Sequence, residues 1–252
     1  MLTALTVAVI VAQLAAGAAL LRISVRHYAS LAALMAVLSV EAAGALLFSP
    51  HSSAYLWFWM ALQPAKYALV ALVAFQMIRR LPEHYGPRLG RFGRDILLQS
   101  LQLALLISLA SGLIEALYAR SEYGAPWLPF AFAFGRVFMV LAAVVLALIA
   151  WWVYRSGVRL SRNLPRHAGL FAAYLWTHMI VYLTRNLLGN RASYQLDELM
   201  LLADILLSVS WIALLAPAGE ALPPKIEHTP DQLAALDARA DALTRALKKA
   251  GE

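Results

Sequence analysis

Seven stretches dominated by apolar side chains run along the chain, roughly at 3–21, 28–48, 55–78, 96–118, 127–153, 168–188 and 197–217. At about 1.5 Å per residue, each is long enough to cross the hydrocarbon of a bilayer as a helix. Short polar gaps separate them. The pattern predicts an all-α polytopic membrane protein, a bundle of seven transmembrane helices. The first stretch, MLTALTVAVIVAQLAAGAALL, lacks the positive leader of a signal peptide and is read as a helix.

The gaps also predict an orientation. The first, third and fifth carry Arg22 and Arg26, then Arg79, Arg80, Arg88, Arg91 and Arg94, then Arg155, Arg159, Arg162 and Arg166. The others hold only Arg120, Arg185 and Arg191. Arginine is retained on the cytoplasmic side, so the N terminus is expected outside and the C terminus inside. Interfacial aromatics agree: Tyr55, Trp57, Trp59, Tyr118 and Trp127 mark outer edges, and Trp151, Trp152 and Tyr154 an inner one.

The apolar pattern stops at 217. Residues 218–228, which include EALPPKIEH, form a predicted linker. Residues 229–252 form a predicted cytoplasmic amphipathic helix, with Thr229 as N-cap, Pro230 at its first position and Gln232 closing a capping box. Leu233, Leu236, Ala240, Leu243, Leu247 and Ala250 follow the alternating three-four spacing of a coiled-coil seam. With two alanines in so short a seam, Leu236, Leu243 and Leu247 are expected to dock on a cytoplasmic partner or pair weakly with a second copy.

Composition narrows the functional classes. The chain is 62% hydrophobic and only 14% charged, far from a soluble domain and suited to a lipid bilayer as its main partner. A net charge of +7 would suit nucleic acid, but the arginines sit in the gaps where bilayer orientation requires them, so no nucleic-acid role is expected. Absence of cysteine removes disulfides, thiolate catalysis and iron–sulfur chemistry.

The apolar runs contain ionisable residues at similar depth. Measured from the predicted outer edges, Glu41, Asp204, Arg136, His178 and Lys66 lie between about 10 and about 16 Å down, on five different helices. A charge facing lipid there costs roughly 2.5–3.5 kcal/mol, so these side chains are expected to turn inward and compensate one another. Pro64 precedes Lys66 and removes a backbone donor, with Gln63 and Tyr67 as polar neighbours. One reading makes Glu41, Gln63, Lys66, Tyr67, Arg136, His178 and Asp204 an outward-opening site for a small molecule or a proton. The other makes them internal ion pairs, Glu41 with Arg136 and Lys66 with Asp204. His178 taken alone is read as a satisfied core histidine.

Several chemistries are not expected. Retinal would need its lysine on the seventh stretch, which offers Asp204 instead, and haem would need a second deep histidine beside His178. Neither a metal-binding pattern nor a nucleophile motif occurs, so no cofactor, metal or catalytic residue is predicted. In PEHYGPRLGRFGRD, 82–95, the arginines Arg88, Arg91 and Arg94 are expected to touch anionic headgroups or a cytoplasmic protein.

RHYASLAAL and RHAGLFAAY open the second and sixth stretches, a faint internal echo that sets Lys66 and Asp204 at nearly corresponding positions of a three-plus-one-plus-three repeat. The segments HYASLAALMAVLSVEAA, SSAYLWFWMAL and AFQMIRRLPEHYGPRLGRFGRD resemble a group of uncharacterised bacterial seven-helix membrane proteins. The likeness covers the first half of the chain; it implies a bacterial cytoplasmic membrane and no particular activity. The expected function is a non-catalytic receptor-like role, with a small-solute or proton-coupled transporter and a structural subunit of a larger complex as alternatives.

Overall fold

The computed structural model describes residues 2–49, 52–80, 87–118, 127–156, 161–188 and 193–221. Among them are seven long helices and no strand: α1 Leu2–Ile23, α2 Val25–Leu47, α3 Ser53–Arg80, α4 Pro87–Tyr118, α5 Trp127–Ser156, α6 Asn163–Leu188 and α7 Ser193–Leu214, followed by a 3-10 turn, Pro217–Glu220. The chain divides into two compact units, Met1–Ala221 and Leu222–Glu252. The second, with Leu236, Leu243 and Leu247 of the predicted tail helix, lies outside the described residues.

The boundaries depart from the apolar pattern where polar residues are drawn into helices. The helix α4 starts at Pro87, a favoured first position because proline's missing N–H is not needed there. Arg88, Arg91 and Arg94, expected in a turn, therefore stand on a helical backbone; their side chains lie outside the description. Asn163 and Ser193 open α6 and α7 ahead of the apolar runs. Between α1 and α2 a single residue suffices: Ser24 is extended, and its hydroxyl accepts from the amide of His27 at 3.4 Å.

Among the described residues, five helices are long and apolar enough to cross a membrane: α1, α2, α3 and the segments Leu98–Tyr118 of α4 and Pro129–Leu148 of α5. This is the signature of an integral membrane protein. Both remaining helices carry more polar residues, Tyr174, Thr177, His178 and Tyr182 on α6 and Asp197, Glu198 and Asp204 on α7. The outer surface is apolar, with Val11, Leu106, Leu113 and Leu206 exposed, whereas Gln13, Lys66, His167 and Asp204 are buried. That inversion matches a hydrocarbon surround.

Neighbour relations close a ring. The helix α1 packs on α2 and α7, α2 on α3, α3 on α5, α5 on α6 and α6 on α7, while α4 lies outside against α5 and α3. Exchanging α1, α2 and α3 for α5, α6 and α7 maps this order of neighbours onto itself. Close approaches use small residues: a Cβ on Gly17 would just touch the backbone of Ala32 at 3.6 Å. On α5, Phe130, Phe134 and Phe138 stack one turn apart, and the ring of Tyr67 packs edge-on against Phe134 and Phe138. Tyr67 thus belongs to the α3–α5 seam, where its hydroxyl occupies the space a side chain at Gly135 would need.

Gly135→Ala should therefore lower stability by about 1–3 kcal/mol through overpacking. Tyr67→Phe in the same chain should recover part of the loss, as measured by thermal unfolding in micelles.

Candidate functional site

Lys66 is 3% exposed, and its ammonium forks across one carboxylate, donating to Glu41 Oε1 at 3.0 Å and Oε2 at 2.9 Å. Gln63, one turn earlier on α3, donates Nε2 to the same Glu41 Oε1 at 3.2 Å and to the carbonyl of Trp59 at 3.3 Å. Pro64 stands between them inside a helix that continues to Arg80. The pairing differs from the expected one because depth does not set which neighbour a residue faces. Adjacent α2 and α3 bring Glu41 to Lys66, whereas α5 packs on α3 and does not adjoin α2 in the ring. Arg136 on α5 instead donates Nε to the carbonyl of Phe132 at 3.4 Å and does not line the site.

Across the bundle, His178 of α6 and Asp204 of α7 form the second cluster. Nδ1 of His178 lies 3.0 Å from the carbonyl of Tyr174, and Nε2 lies 4.0 Å from Asp204 Oδ1. Asp204 is 9% exposed, and among the described residues Oδ1 has no hydrogen-bond partner, nor has the hydroxyl of Tyr174. His178 is therefore tied to its own helix and stops short of a hydrogen bond to the aspartate.

Both clusters border one cavity of about 350 Å³ between α1, α2, α3, α6 and α7. Glu41, Lys66, His178, Tyr182, Asp197 and Asp204 are among its polar lining residues, and Val9, Leu38, Ala42 and Leu201 among its apolar ones. Of the sequence-predicted site residues, the wall includes Glu41, Lys66, His178 and Asp204; Gln63 supports from behind, and Tyr67 and Arg136 stand apart. The starts of α1, α3 and α7 and the ends of α2 and α6 meet around it, through Thr3, Tyr55, Asp197, Leu46 and Tyr182. In the pairs α1–α2, α2–α3 and α6–α7 the helices therefore run in opposite directions. Below the cavity, Ser39 donates to Gln13 at 3.1 Å, and a void of about 10 Å³ is bordered by Gln13, Tyr174, Asp204, Ser208 and Trp211.

At the opposite end of the bundle stands a cluster that sequence reasoning missed. Glu220, in the turn after α7, accepts from Tyr28 at 2.5 Å and Asn163 at 2.7 Å on Oε1, and from Arg80 at 2.5 Å and His27 at 2.8 Å on Oε2. These donors come from α2, α3 and α6. The bundle thus continues to Ala221, past the predicted boundary at 217. Asn163 also donates to the carbonyl of Ala216 at 2.7 Å, and only glycine fits at 219, where a Cβ would strike the Asn163 side chain. Above it, the ring of Tyr28 meets His167 edge-on at 5.2 Å, and Trp211 Nε1 lies 3.3 Å from His167 Nδ1. Burial works against the Glu220 carboxylate, yet the hydrogen bonds from Tyr28 and Asn163 and the Arg80 charge hold its pKa below the ordinary 4.5. The one sequence signal for this cluster was the echo itself, since RHYASLAAL supplies His27 and Tyr28 and RHAGLFAAY supplies His167.

Among the described residues no group of three or more His, Asp and Glu side chains stands close enough to hold a metal ion. Compared with protein-family models, curated proteins and solved structures, the chain matches none.

Lys66→Met leaves a partly buried carboxylate with Gln63 as its remaining partner and should destabilise the bundle by about 3 kcal/mol. Glu41→Gln combined with Lys66→Met should restore most of that, read from paired unfolding curves. Because the native Glu220 pKa is lowered, the unfolded chain binds the proton more readily. Its stabilisation should be complete above pH 4.5 and fade as pH falls below it. The gap in melting temperature between the parent and Glu220→Gln should accordingly narrow on acidification.

Proposed function

We propose that the protein is a receptor-like integral membrane protein whose cavity takes a small polar ligand from outside the cell. In this reading all seven helices span a bacterial cytoplasmic membrane, with the N terminus outside and the chain beyond Ala221 inside. The five apolar helices, the opposed directions within α1–α2, α2–α3 and α6–α7 and the arginine bias of the gaps support it.

The observation that carries the proposal is the combination at one end of the ring of an open volume of about 350 Å³ with buried polar groups, one of them unpartnered among the described residues. A bundle held by internal ion pairs alone has no use for that space. Interiors are ordinarily packed without voids larger than a water molecule. At the other end, Glu220 ties the turn after α7 to α2, α3 and α6, immediately ahead of residues 222–252. A ligand that spreads or draws together α6 and α7 at the cavity bears on that junction through the same two helices. Signalling requires such differential binding to two bundle arrangements. The predicted tail helix and Arg88, Arg91 and Arg94 then supply surfaces for a cytoplasmic partner, anionic lipid or a second copy.

A second reading is favoured by the symmetry of the ring. Neighbour relations that survive the exchange of α1–α3 for α5–α7 are those of a three-plus-one-plus-three transporter, in which α4 is the connecting helix. There Lys66 and Asp204 serve as paired site residues, and transport of a solute or proton replaces signalling. Uptake into proteoliposomes that Asp204→Asn abolishes would select this reading over the first.

The chain has no cysteine, so single cysteines report position directly. Ala42→Cys and Ala45→Cys, at the cavity wall, should react with a membrane-impermeant maleimide on intact spheroplasts. Val11→Cys, on the exposed apolar face, should not. Reaction only after permeabilisation would overturn the outward orientation.

A further inference from the structure

We infer that the cavity ligand is a small primary organic ammonium ion, bound where His178 and Asp204 face each other. The inference rests on the pocket reading above and specifies its chemistry.

The argument begins with a tautomer. A backbone carbonyl can only accept, so the 3.0 Å contact between His178 Nδ1 and the carbonyl of Tyr174 places the proton on Nδ1. In that tautomer Nε2 is a lone pair 4.0 Å from Asp204 Oδ1, and Oδ1 has no hydrogen-bond partner among the described residues. Two acceptors at that separation do not satisfy each other. Both lie within donor distance of one ammonium nitrogen seated between them on the cavity side, since such contacts span about 2.7–3.2 Å.

Charge points the same way. The Lys66 ammonium is already forked across Glu41, so the pair contributes no net charge to the wall. The lining's other acidic side chains are Asp197 and, at the His178 end, Asp204. An anion meets that carboxylate and finds Lys66 engaged. An alcohol brings one donor for two acceptors. A bare metal ion asks for more ligands than one imidazole and one carboxylate, and no larger group of ligands stands nearby among the described residues. A primary ammonium brings three donors and a compensating charge. Val9, Leu38, Ala42 and Leu201 line the same cavity and receive a short alkyl chain.

The test uses the full chain carrying Ala42→Cys in spheroplasts, with the rate of modification by an impermeant neutral maleimide as readout. Four probes of matched size or charge compete: butylammonium, butanol, butanoate and sodium ion. Butylammonium should slow modification by about tenfold or more at saturation, and the other three should change it less than about twofold. Asp204→Asn in the same chain should weaken butylammonium protection by about ten- to a hundredfold, the loss of a charge-assisted hydrogen bond. Should that variant fail to fold, the four-probe series on the parent still decides. Protection by butanol, butanoate or sodium equal to that by butylammonium overturns the inference. Modification that no probe slows overturns it too, while leaving the pocket in place. A cysteine at 42 that never reacts, from either side, removes the pocket reading and the ammonium site together.

Discussion

Hydrocarbon cannot solvate an ion or an unpaired peptide group, and that single constraint organises this molecule. Polar side chains such as Gln13, Lys66 and His178 turn inward, partnered on a neighbouring helix or by a carbonyl of their own. Glu41 on α2 with Gln63 and Lys66 on α3, and Gln13 on α1 with Ser39 on α2, are partnered across helices, whereas His178 bonds within α6 and stops 4.0 Å from Asp204 on α7. Where two such residues meet on adjacent helices, the pair also sets axial register, because a slip of one turn would strand both. The forked contact of Lys66 on Glu41 does this for α2 against α3.

The same constraint divides the bundle into unlike ends. On the cavity lining, Asp204 Oδ1 has no hydrogen-bond partner among the described residues. Around Glu220, four donors from three helices use both carboxylate oxygens fully. Unsatisfied groups are costly and therefore informative, since a site that must receive a guest keeps some hydrogen-bonding capacity in reserve. A closed network serves the opposite purpose and holds helix ends in place. Between the two lie Trp211 and His167, whose rings meet edge-on, and His167 meets the ring of Tyr28 in the same way.

How much of this was legible beforehand depends on the physics behind each feature. Helix number and rough extent follow from hydropathy, because length against bilayer thickness is a one-dimensional property. Inward orientation of Lys66 and Asp204 follows from solvation cost, which is also local. Partner identity does not, because it depends on the order of helices around the ring. Arg136 matches Glu41 in depth and charge, yet sits on α5, beyond α3. Tyr67 is one residue from Lys66, and that step of about 100° turns it from the cavity to the phenylalanine ladder. Glu220 was hidden for another reason: it follows the last apolar run, in residues whose prolines and charges read as linker. Only the tertiary fold brings His27, Tyr28, Arg80 and Asn163, far apart in sequence, to one carboxylate.

The manner in which Glu220 is held has a mechanical corollary. A carboxylate gripped by one donor would let its helix end drift by degrees. Gripped from α2, α3 and α6 at once, with contacts of 2.5–2.8 Å, it tolerates almost no displacement before several break together. The end of α7 is thus held from three sides at once.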